Sequence, residues 1–424
     1  MINETLMVFL AALMVLNGSW IILLILPKKK DTGEDKPPNV SVVIPAHNEE
    51  KYIRNTVESA LNNRYSGEKE VIVVDDGSTD KTSEIVEALC RKNPNARLLK
   101  TDHLGKSRAL NQGIEKAENE ILVLLDADSM MDENALRDIV KPFRDERVGA
   151  VSGIIRAADN INPLTWFQDF EYILSSCWRY ACNKLDATYI LPGFSAYRRS
   201  AIKKVECFSQ DTLCEDFDIG LKLKKAGYRL DMSPAKMYTE VPKTIKGLIK
   251  QRIRWSKGTI QVIRKHLDAP FNMKYGAIGL YGIPTQLYWY IHGCFCLPIT
   301  AYQILDGYNQ YFIAYGDYIS EGAFMYFFSW MSAYGMFNYI TKTFTGEYAM
   351  TMVFIFSFAS FMIGTAYNLA AILKISKLSW KHLTVIFFFF PYSVSMLLVH
   401  ITAGIHEAIL IRPQASVNIW EKSI

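Results

Sequence analysis

Charge in this chain is confined to its middle. Almost all of it lies between Lys28 and Lys274, whereas Leu6 to Leu26 and most of the sequence beyond Tyr275 are apolar and aromatic. Such a partition divides the chain into a water-facing block and blocks suited to lipid. Leu6 to Leu26 is a run of about 20 apolar residues, interrupted by Asn17, Gly18 and Ser19, and it matches one bilayer crossing. Lys28, Lys29 and Lys30 follow the run and only Glu4 precedes it, which reverses the charge order of a secretory signal. The positive-inside rule then puts the N-terminus outside and Lys28 onward in the cytosol, with Asp31 to Asn39 as a short linker.

The C-terminal half offers four hydrophobic stretches: Ala277 to Leu305, Ala323 to Tyr339, Ala349 to Leu373 and Leu383 to Ile411. If all four cross, Lys374, Lys377 and Lys381 face outside, against the rule. If one lies in the interface or re-enters, that basic loop becomes cytosolic. The first stretch, broken by Gly282, Pro284 and Gly293 and rich in Tyr, is the expected exception, and both three and four crossings stay open. The formal charge of +4 over 424 residues is too small to argue for nucleic acid. Cys90, Cys177, Cys182, Cys207, Cys214, Cys294 and Cys296 show neither metal spacing nor a paired framework, in keeping with reduced thiols.

Within the polar block the period alternates. Val40 to Ile44 and Val71 to Val74 are β-branched runs of the kind buried on both faces of a parallel sheet, and Ile121 to Leu125 is a third strand. Leu98 and Leu99 are weaker strand material. Asn48 is expected to cap a helix with Glu49 and Glu50 in its first turn, and Thr79 or Asp80 to cap the next. Strand, loop, helix, repeated, argues for a doubly wound sheet whose site lies at the carboxyl ends of the strands. Two of those ends are acidic, Asp75-Asp76-Gly77-Ser78 and Asp126-Ala127-Asp128. An extended chain would point Asp126 and Asp128 to one side, where carboxylates can hold a hard divalent cation against a diphosphate. Helix capping is the competing explanation for any one of these residues.

Five blocks in order resemble the family-2 glycosyltransferases over about Val40 to Trp255: Pro45-Ala-His-Asn-Glu49, Asp75-Asp76-Gly77-Ser78, Asp126-Ala-Asp128, Glu215-Asp216 and Gln251-Arg-Ile-Arg254-Trp255. The last two mark a membrane branch that includes cellulose, chitin, hyaluronan and poly-N-acetylglucosamine synthases. The stretch from Gly193 through Arg198-Arg199 and Glu215-Asp216 to Lys250-Gln251 is most similar to the bacterial poly-N-acetylglucosamine synthases. Hyaluronan synthases carry Gly-Asp-Asp where this chain has Cys214-Glu215-Asp216. The resemblance implies an α/β GT-A domain, nucleotide-sugar binding and doubly wound, joined to an α-helical transmembrane region. It also implies inversion at the anomeric carbon, a UDP-sugar donor and Mg2+ or Mn2+. Residues 1–30 would be the first transmembrane helix, 31–240 the cytosolic GT-A domain, 241–275 amphipathic interfacial helices, 276–411 the C-terminal transmembrane region and 412–424 a tail. Trp420-Glu-Lys-Ser423 in that tail only faintly matches a gating segment.

The same resemblance assigns roles. Pro45, Glu49, Asp75, Asp76, Lys106 and Asp126 fall at nucleotide-binding positions and Asp128 at the metal ligand. A solvated helix-start lysine and a first-turn glutamate are the plain alternatives for Lys106 and Glu49. Asp216 is the expected general base, because a direct displacement needs one carboxylate to take the acceptor proton, and Glu215 beside it could raise its pKa. Gly193, Arg198, Arg199, Gln251, Arg254 and Trp255 fall at acceptor and diphosphate positions. Gln251, Arg254 and Trp255 share a helix face, where Arg254 could meet the diphosphate and Trp255 the acceptor sugar. The plain alternative is a basic interfacial helix, crowded by Lys243, Lys246, Lys250, Arg252, Lys257, Arg264 and Lys265. The expected function is a multi-pass plasma-membrane synthase that extends a β-linked glycan from UDP-N-acetylglucosamine and exports it. Its surroundings would be a growing glycan acceptor, membrane lipids and, by resemblance, a small membrane subunit. A lipid-glycosylating transferase like the ceramide glucosyltransferases, a hyaluronan-type synthase using two UDP-sugars, and a non-catalytic transporter or sensor are the alternatives.

Overall fold

A computed structural model describes residues 2–27, 36–158, 161–316 and 318–409. The expected basic run Lys28 to Lys30, most of the linker and the Trp420 segment lie outside the described residues. The chain divides into two compact units, Met1–Pro27 with Pro284–Ile405, and Lys28–Ile283 with His406–Ile424. The first helix, α1 (Ile2–Ile25), belongs to the apolar unit.

The polar unit begins as its sequence periods suggest. It runs β1 (Val40–Ala46), α2 (Ile53–Leu61), β2 (Lys69–Asp76), α3 (Thr82–Cys90), β3 (Ala96–Thr101), α4 (Lys106–Lys116) and β4 (Ile121–Leu125). These strands are parallel, with β1 between β2 and β4, and β3 outside β2. Successive residues of each strand feed opposite apolar layers. Val42, Ile44, Val71 and Val73 pack on Ile53, Val57 and Val86. Val43, Ile72 and Val74 pack on Leu110 and Ile114. Each fully buried aliphatic side chain contributes about 1.5–3 kcal/mol, so a register slip of one residue would be prohibitive.

The second half departs from an all-parallel sheet. It comprises β5 (Ser129–Met131), α5 (Ala135–Val140), β6 (Val148–Ala157), α6 (Pro163–Lys184), β7 (Phe194–Arg198), α7 (Arg199–Lys204), α8 (Glu215–Lys225), β8 (Arg229–Thr239) and α9 (Ile245–Lys265). The coil between α6 and β7 brings the chain back to the opposite end of the sheet. β7 therefore runs antiparallel between β4 and β6, and the sheet is mixed, in the order β3-β2-β1-β4-β7-β6-β8-β5. Asn48 also differs from expectation. It adopts a left-handed φ of 55°, its Oδ1 accepts from the Thr79 N–H at 2.8 Å, and α2 starts only at Ile53. It ties two strand ends together instead of capping the helix, in a conformation that asparagine tolerates. Asp80 does accept from the Thr82 N–H at the start of α3, at 2.9 Å.

The apolar unit continues with α10 (Ile283–Tyr315), α11 (Glu321–Met331), α12 (Tyr334–Phe344), α13 (Met352–Ile375), α14 (Trp380–Phe387) and α15 (Phe389–Ile409). Trp20 of α1 packs on Tyr367 of α13 and Trp289 of α10, with ring centroids 5.2 and 6.4 Å apart. A Cβ at Gly293 would sit 2.7 Å from Ile401, so the small residue lets α10 and α15 approach. Three described helices, α1, α13 and α15, are long and apolar enough to cross a bilayer, which makes the chain a membrane protein. The first C-terminal stretch, the expected exception, forms a long helix that is not among those three. α10 runs 33 residues through Pro298, and Pro284 sits in its first turn, where a missing N–H is harmless. The break falls in the second stretch, where Ser332 turns extended at φ −147° and ψ 163°. It leaves α11 and α12 with 11 residues each, about 16 Å long against a hydrocarbon core of about 30 Å.

One contact fixes α8 against the coil that leads into β7. A Cβ on Gly220 would lie 1.7 Å from the Tyr189 carbonyl oxygen, and the Phe217 ring lies 5.1 Å from that of Tyr189. Gly220→Ala should therefore cost about 1–3 kcal/mol by overpacking, read as a lower thermal midpoint of the detergent-solubilised protein. Gly18→Ala, whose added methyl meets nothing within 4 Å, should leave the midpoint in place.

Candidate active site

The carboxyl ends of β1, β2 and β4 and the first turns of α4 and α8 meet around one ion-pair cluster. Lys106, the first residue of α4, places Nζ 2.8 Å from Asp126 Oδ1 and 3.1 Å from Glu215 Oε1. Beside it opens a cleft whose walls include Pro45, Lys106, Asp126, Gly193, Tyr197 and Glu215. Five of these six were singled out in the sequence. A Cβ at Gly193 would stand 2.4 Å from Asp126 Oδ2, so a larger residue there would push that carboxylate aside.

The electrostatics separate neighbouring carboxylates. Burial, the largest single influence, would raise Glu215, but the Lys106 ammonium, a backbone hydrogen bond and the Arg254 charge together hold the carboxyl below its ordinary value. Asp216, next in the chain, is pushed up to about 7 by burial first and then by the negative charge of Glu215. Its Oδ1 accepts from the Phe217 N–H at 2.9 Å. Asp126 is also raised, by burial and by Asp128, with Lys106 opposing. Two adjacent carboxylates thus carry different protonation tendencies at pH 7, the pattern expected where one must move a proton.

Asp75 and Asp76 are both buried at the end of β2, but they differ in what they hold. Asp75 accepts from the Ser78 N–H at 3.0 Å and from the Ser83 hydroxyl. Asp76 receives the Gly105 N–H at 2.7 Å, the Leu104 N–H at 2.9 Å and the Thr101 hydroxyl at 2.8 Å. Its carboxylate therefore anchors the loop that delivers Lys106. Gly105 takes a φ of 96° at the last step of that loop. His47 and His103, neither singled out in the sequence, stack here with centroids 4.2 Å apart. The His47 and His103 Nδ1–H groups both donate to the Asp76 carbonyl oxygen, at 2.8 and 3.2 Å. Glu49 is buried beside the turn, and its N–H lies 2.7 Å from the Thr82 hydroxyl oxygen.

Asp126 to Asp128 form a turn rather than an extended segment, closed by the Ser129 N–H on the Asp126 carbonyl at 3.0 Å. Alternation along a strand therefore does not set their directions. Asp128 accepts from Ser129 Oγ at 3.2 Å and Thr239 Oγ1 at 3.4 Å. Among the described residues no three His, Cys, Asp or Glu side chains converge as a complete metal site. The donors present are hard carboxylate oxygens, which fit a Mg2+ or Mn2+ ion whose remaining ligands come from a diphosphate.

On α9, Arg254 and Trp255 come against the loop before α8. The Cys214 thiol donates to the Trp255 carbonyl at 3.6 Å, and a Cβ on Gly258 would stand 2.4 Å from Cys214 Sγ. The charge of Arg254 acts on Glu215, and its buried Nε has no hydrogen-bond partner among the described residues. Arg252, grouped in the sequence with the basic exposed face, is buried instead. It pairs with Glu171, donates to Gln251 Oε1 at 2.6 Å and lies 4.4 Å over the Trp255 ring. Arg198 and Arg199 are not brought to the cleft. Arg198 donates to the carbonyls of Val148, Phe143 and Asp145, and Arg199 donates to that of Glu115. Backbone oxygens at the sheet edge claim both guanidinium groups.

Residues 41–206 match the family described as Glycosyl transferase family 2. The chain is 32% identical over 253 residues to the poly-beta-1,6-N-acetyl-D-glucosamine synthase of Staphylococcus aureus (strain COL), covering 59% of this chain and 61% of the relative. It is 32% identical over 279 residues to the enzyme of that name from Staphylococcus epidermidis, covering 63% and 66%. The alignments thus take in less than two thirds of these relatives' length. A solved mannosyltransferase from Pyrobaculum calidifontis, in complex with GDP-Man and Mn2+, shares the fold at a TM-score of 0.56 and 24% identity, over 87% of this chain and 98% of that one. Motif order, strand-end cluster and these similarities agree that residues 41–206 belong to a family-2 glycosyltransferase domain of the GT-A fold.

Proposed function

We propose that this chain is an inverting, processive synthase that extends a β-linked glycan from UDP-N-acetylglucosamine and passes it across the membrane. The polar unit would face the cytosol of a multi-pass plasma-membrane protein, with a small membrane subunit as companion. The observation that carries the transfer step is the Asp216 carboxyl, pushed up to about 7 beside an ionised Glu215 and the Lys106 ammonium. The likeness to poly-beta-1,6-N-acetyl-D-glucosamine synthases supports the donor and the polymer. Support for processivity comes from Gln251, Arg254 and Trp255 on α9, a short way in sequence before the apolar α10.

In this reading Asp75 meets the uridine, and Glu49 and Asp76 shape its pocket. Lys106 and Arg254 face the diphosphate. The unmet Nε–H of Arg254 is a donor suited to a phosphate oxygen. The acceptor hydroxyl oxygen attacks the anomeric carbon, its proton passes to Asp216, and the bond to UDP breaks with its electron pair leaving on the diphosphate. A divalent cation held by Asp128, with Asp126 in support, would neutralise part of that charge. Trp255 and Gly193 would border the acceptor.

Asp216→Asn should lower transfer by about 10²–10⁴-fold while UDP affinity stays at the wild-type value; wild-type turnover in that variant removes Asp216 as base. The base works ionised, and its pKa is raised. Activity therefore appears as pH rises through about 7, and kcat/KM falls tenfold per unit below it. A profile flat from pH 6 to 8, or one unchanged in Asp216→Asn, contradicts the assignment. EDTA should abolish transfer and Mn2+ or Mg2+ restore it, measured together with UDP binding by calorimetry. Membranes supplied in turn with labelled UDP-N-acetylglucosamine, UDP-glucose and UDP-glucuronate should yield a long polymer from the first alone. Single-sugar glycolipids would replace this reading with lipid glycosylation.

A further inference from the structure

The loop that leads into Glu215 and Asp216 is held by side chains that the transfer reaction, as described, does not use. The Leu213 N–H donates to Gln261 Oε1 at 2.9 Å. Gln261 lies near the end of α9, and its other amide atom is engaged as well, Nε2 donating to Glu407 Oε1 at 2.9 Å. Glu407 sits in the last turn of α15, where the residues from His406 on group with the polar unit. One turn along α9, Arg264 Nη2 donates to the carbonyls of Glu407 and Ala408 at 2.9 and 3.2 Å. Such carbonyls are left over at a helix C-terminus, where a guanidinium is a favoured partner. The end of α15 is thus seated on α9 through backbone oxygens, whatever the Glu407 side chain does.

That leaves the Glu407 carboxylate free for a finer task. A primary amide is an acceptor on one side and a donor on the other, and the two sides are not interchangeable. Leu213 presents an N–H and needs the oxygen of Gln261, while Glu407 presents a carboxylate and needs its NH2. Both partners select the same orientation. Turned over, the amide would set NH2 against N–H and oxygen against carboxylate. Other groups of α9 hold the loop on either side of Leu213. Lys265 Nζ lies 2.8 Å from Asp211 Oδ1 and 3.1 Å from Asp218 Oδ2, His266 Nε2 lies 2.8 Å from Asp218 Oδ1, and Gly258 abuts Cys214. Gln261 completes that row at the backbone, one residue before the N-cap of α8.

We infer that Gln261 is a positioning residue for glycosyl transfer, and that Glu407 at the end of α15 sets the amide orientation in which it holds the Glu215–Asp216 loop. Both act through the Leu213 backbone. The role rests on the proposed reading of Asp216 as base, but the bridge itself can be read without turnover.

The test is amide hydrogen exchange on the full-length protein in lipid nanodiscs, resolved at Leu213 by overlapping peptides. It is paired with kcat and KM for labelled UDP-N-acetylglucosamine. Glu407→Met keeps the length of the side chain and removes the acceptor. It should speed exchange at Leu213 about tenfold and lower kcat by about 10–100-fold, the scale of a displaced catalytic group, with KM in place. Glu407→Gln, which can turn an amide oxygen to Gln261, should stay near the wild-type value in both. Gln261→Ala should have at least the effect of Glu407→Met, and it serves where Glu407→Met does not fold. The double variant should be no worse than Gln261→Ala, because Glu407 acts through Gln261. Exchange unmoved in Glu407→Met or Gln261→Ala, or moved equally by Glu407→Gln, overturns the inference. So do additive losses, or faster exchange with kcat unchanged. Absent transfer by the wild-type protein would remove the synthase reading, while exchange at Leu213 would still decide the bridge.

Discussion

The bridge from Lys106 to Asp126 and Glu215 is the interaction on which the rest of the catalytic unit is arranged. It joins the start of α4, the end of β4 and the first turn of α8 through one side chain. Without the ammonium, the half-buried Asp126 and Glu215 carboxylates would lose their shared counter-charge and repel each other. With it, Glu215 stays ionised and passes its field to Asp216. One lysine thereby holds three elements and sets the difference between two adjacent acids.

That arrangement also explains the dense packing around α8. A pKa set by neighbouring charges is only as constant as the distances to them. The close seat of Gly220 on Tyr189, and of Gly258 on Cys214, removes the slack that would blur those distances.

Much of this was legible in the sequence, and what was not has physical causes. β1, β2 and β4 could be read because burial on both faces demands continuous β-branched runs. β6 and β7 were hidden, since Ser152, Gly153 and Ser195 interrupt them for reasons of close approach that only the packed partners reveal. The site residues Pro45, Lys106, Asp126, Gly193 and Glu215 could be named individually, but no spacing rule shows that one ammonium ties two of them. Arg252 and Arg198 differ from expectation for different reasons. Arg252 looks solvated in its basic run until its partner Glu171 is known, and Arg198, expected at the acceptor, gives its guanidinium to three backbone carbonyls. In the apolar half, hydropathy located the stretches and missed the break at Ser332, because a single extended residue barely alters an average over a window.

The neighbouring aspartates at the end of β2 carry a consequence of another kind. Asp76 is committed to the Gly105 and Leu104 amides, so under the proposed function its contribution to donor capture would be entropic. It confines the loop before any nucleotide arrives, and the ordering cost that a slack loop would charge against affinity is absent. A donor weakened by a change at this position would arrive as often and leave as fast from the closed site. It would simply find that site assembled in a smaller fraction of molecules.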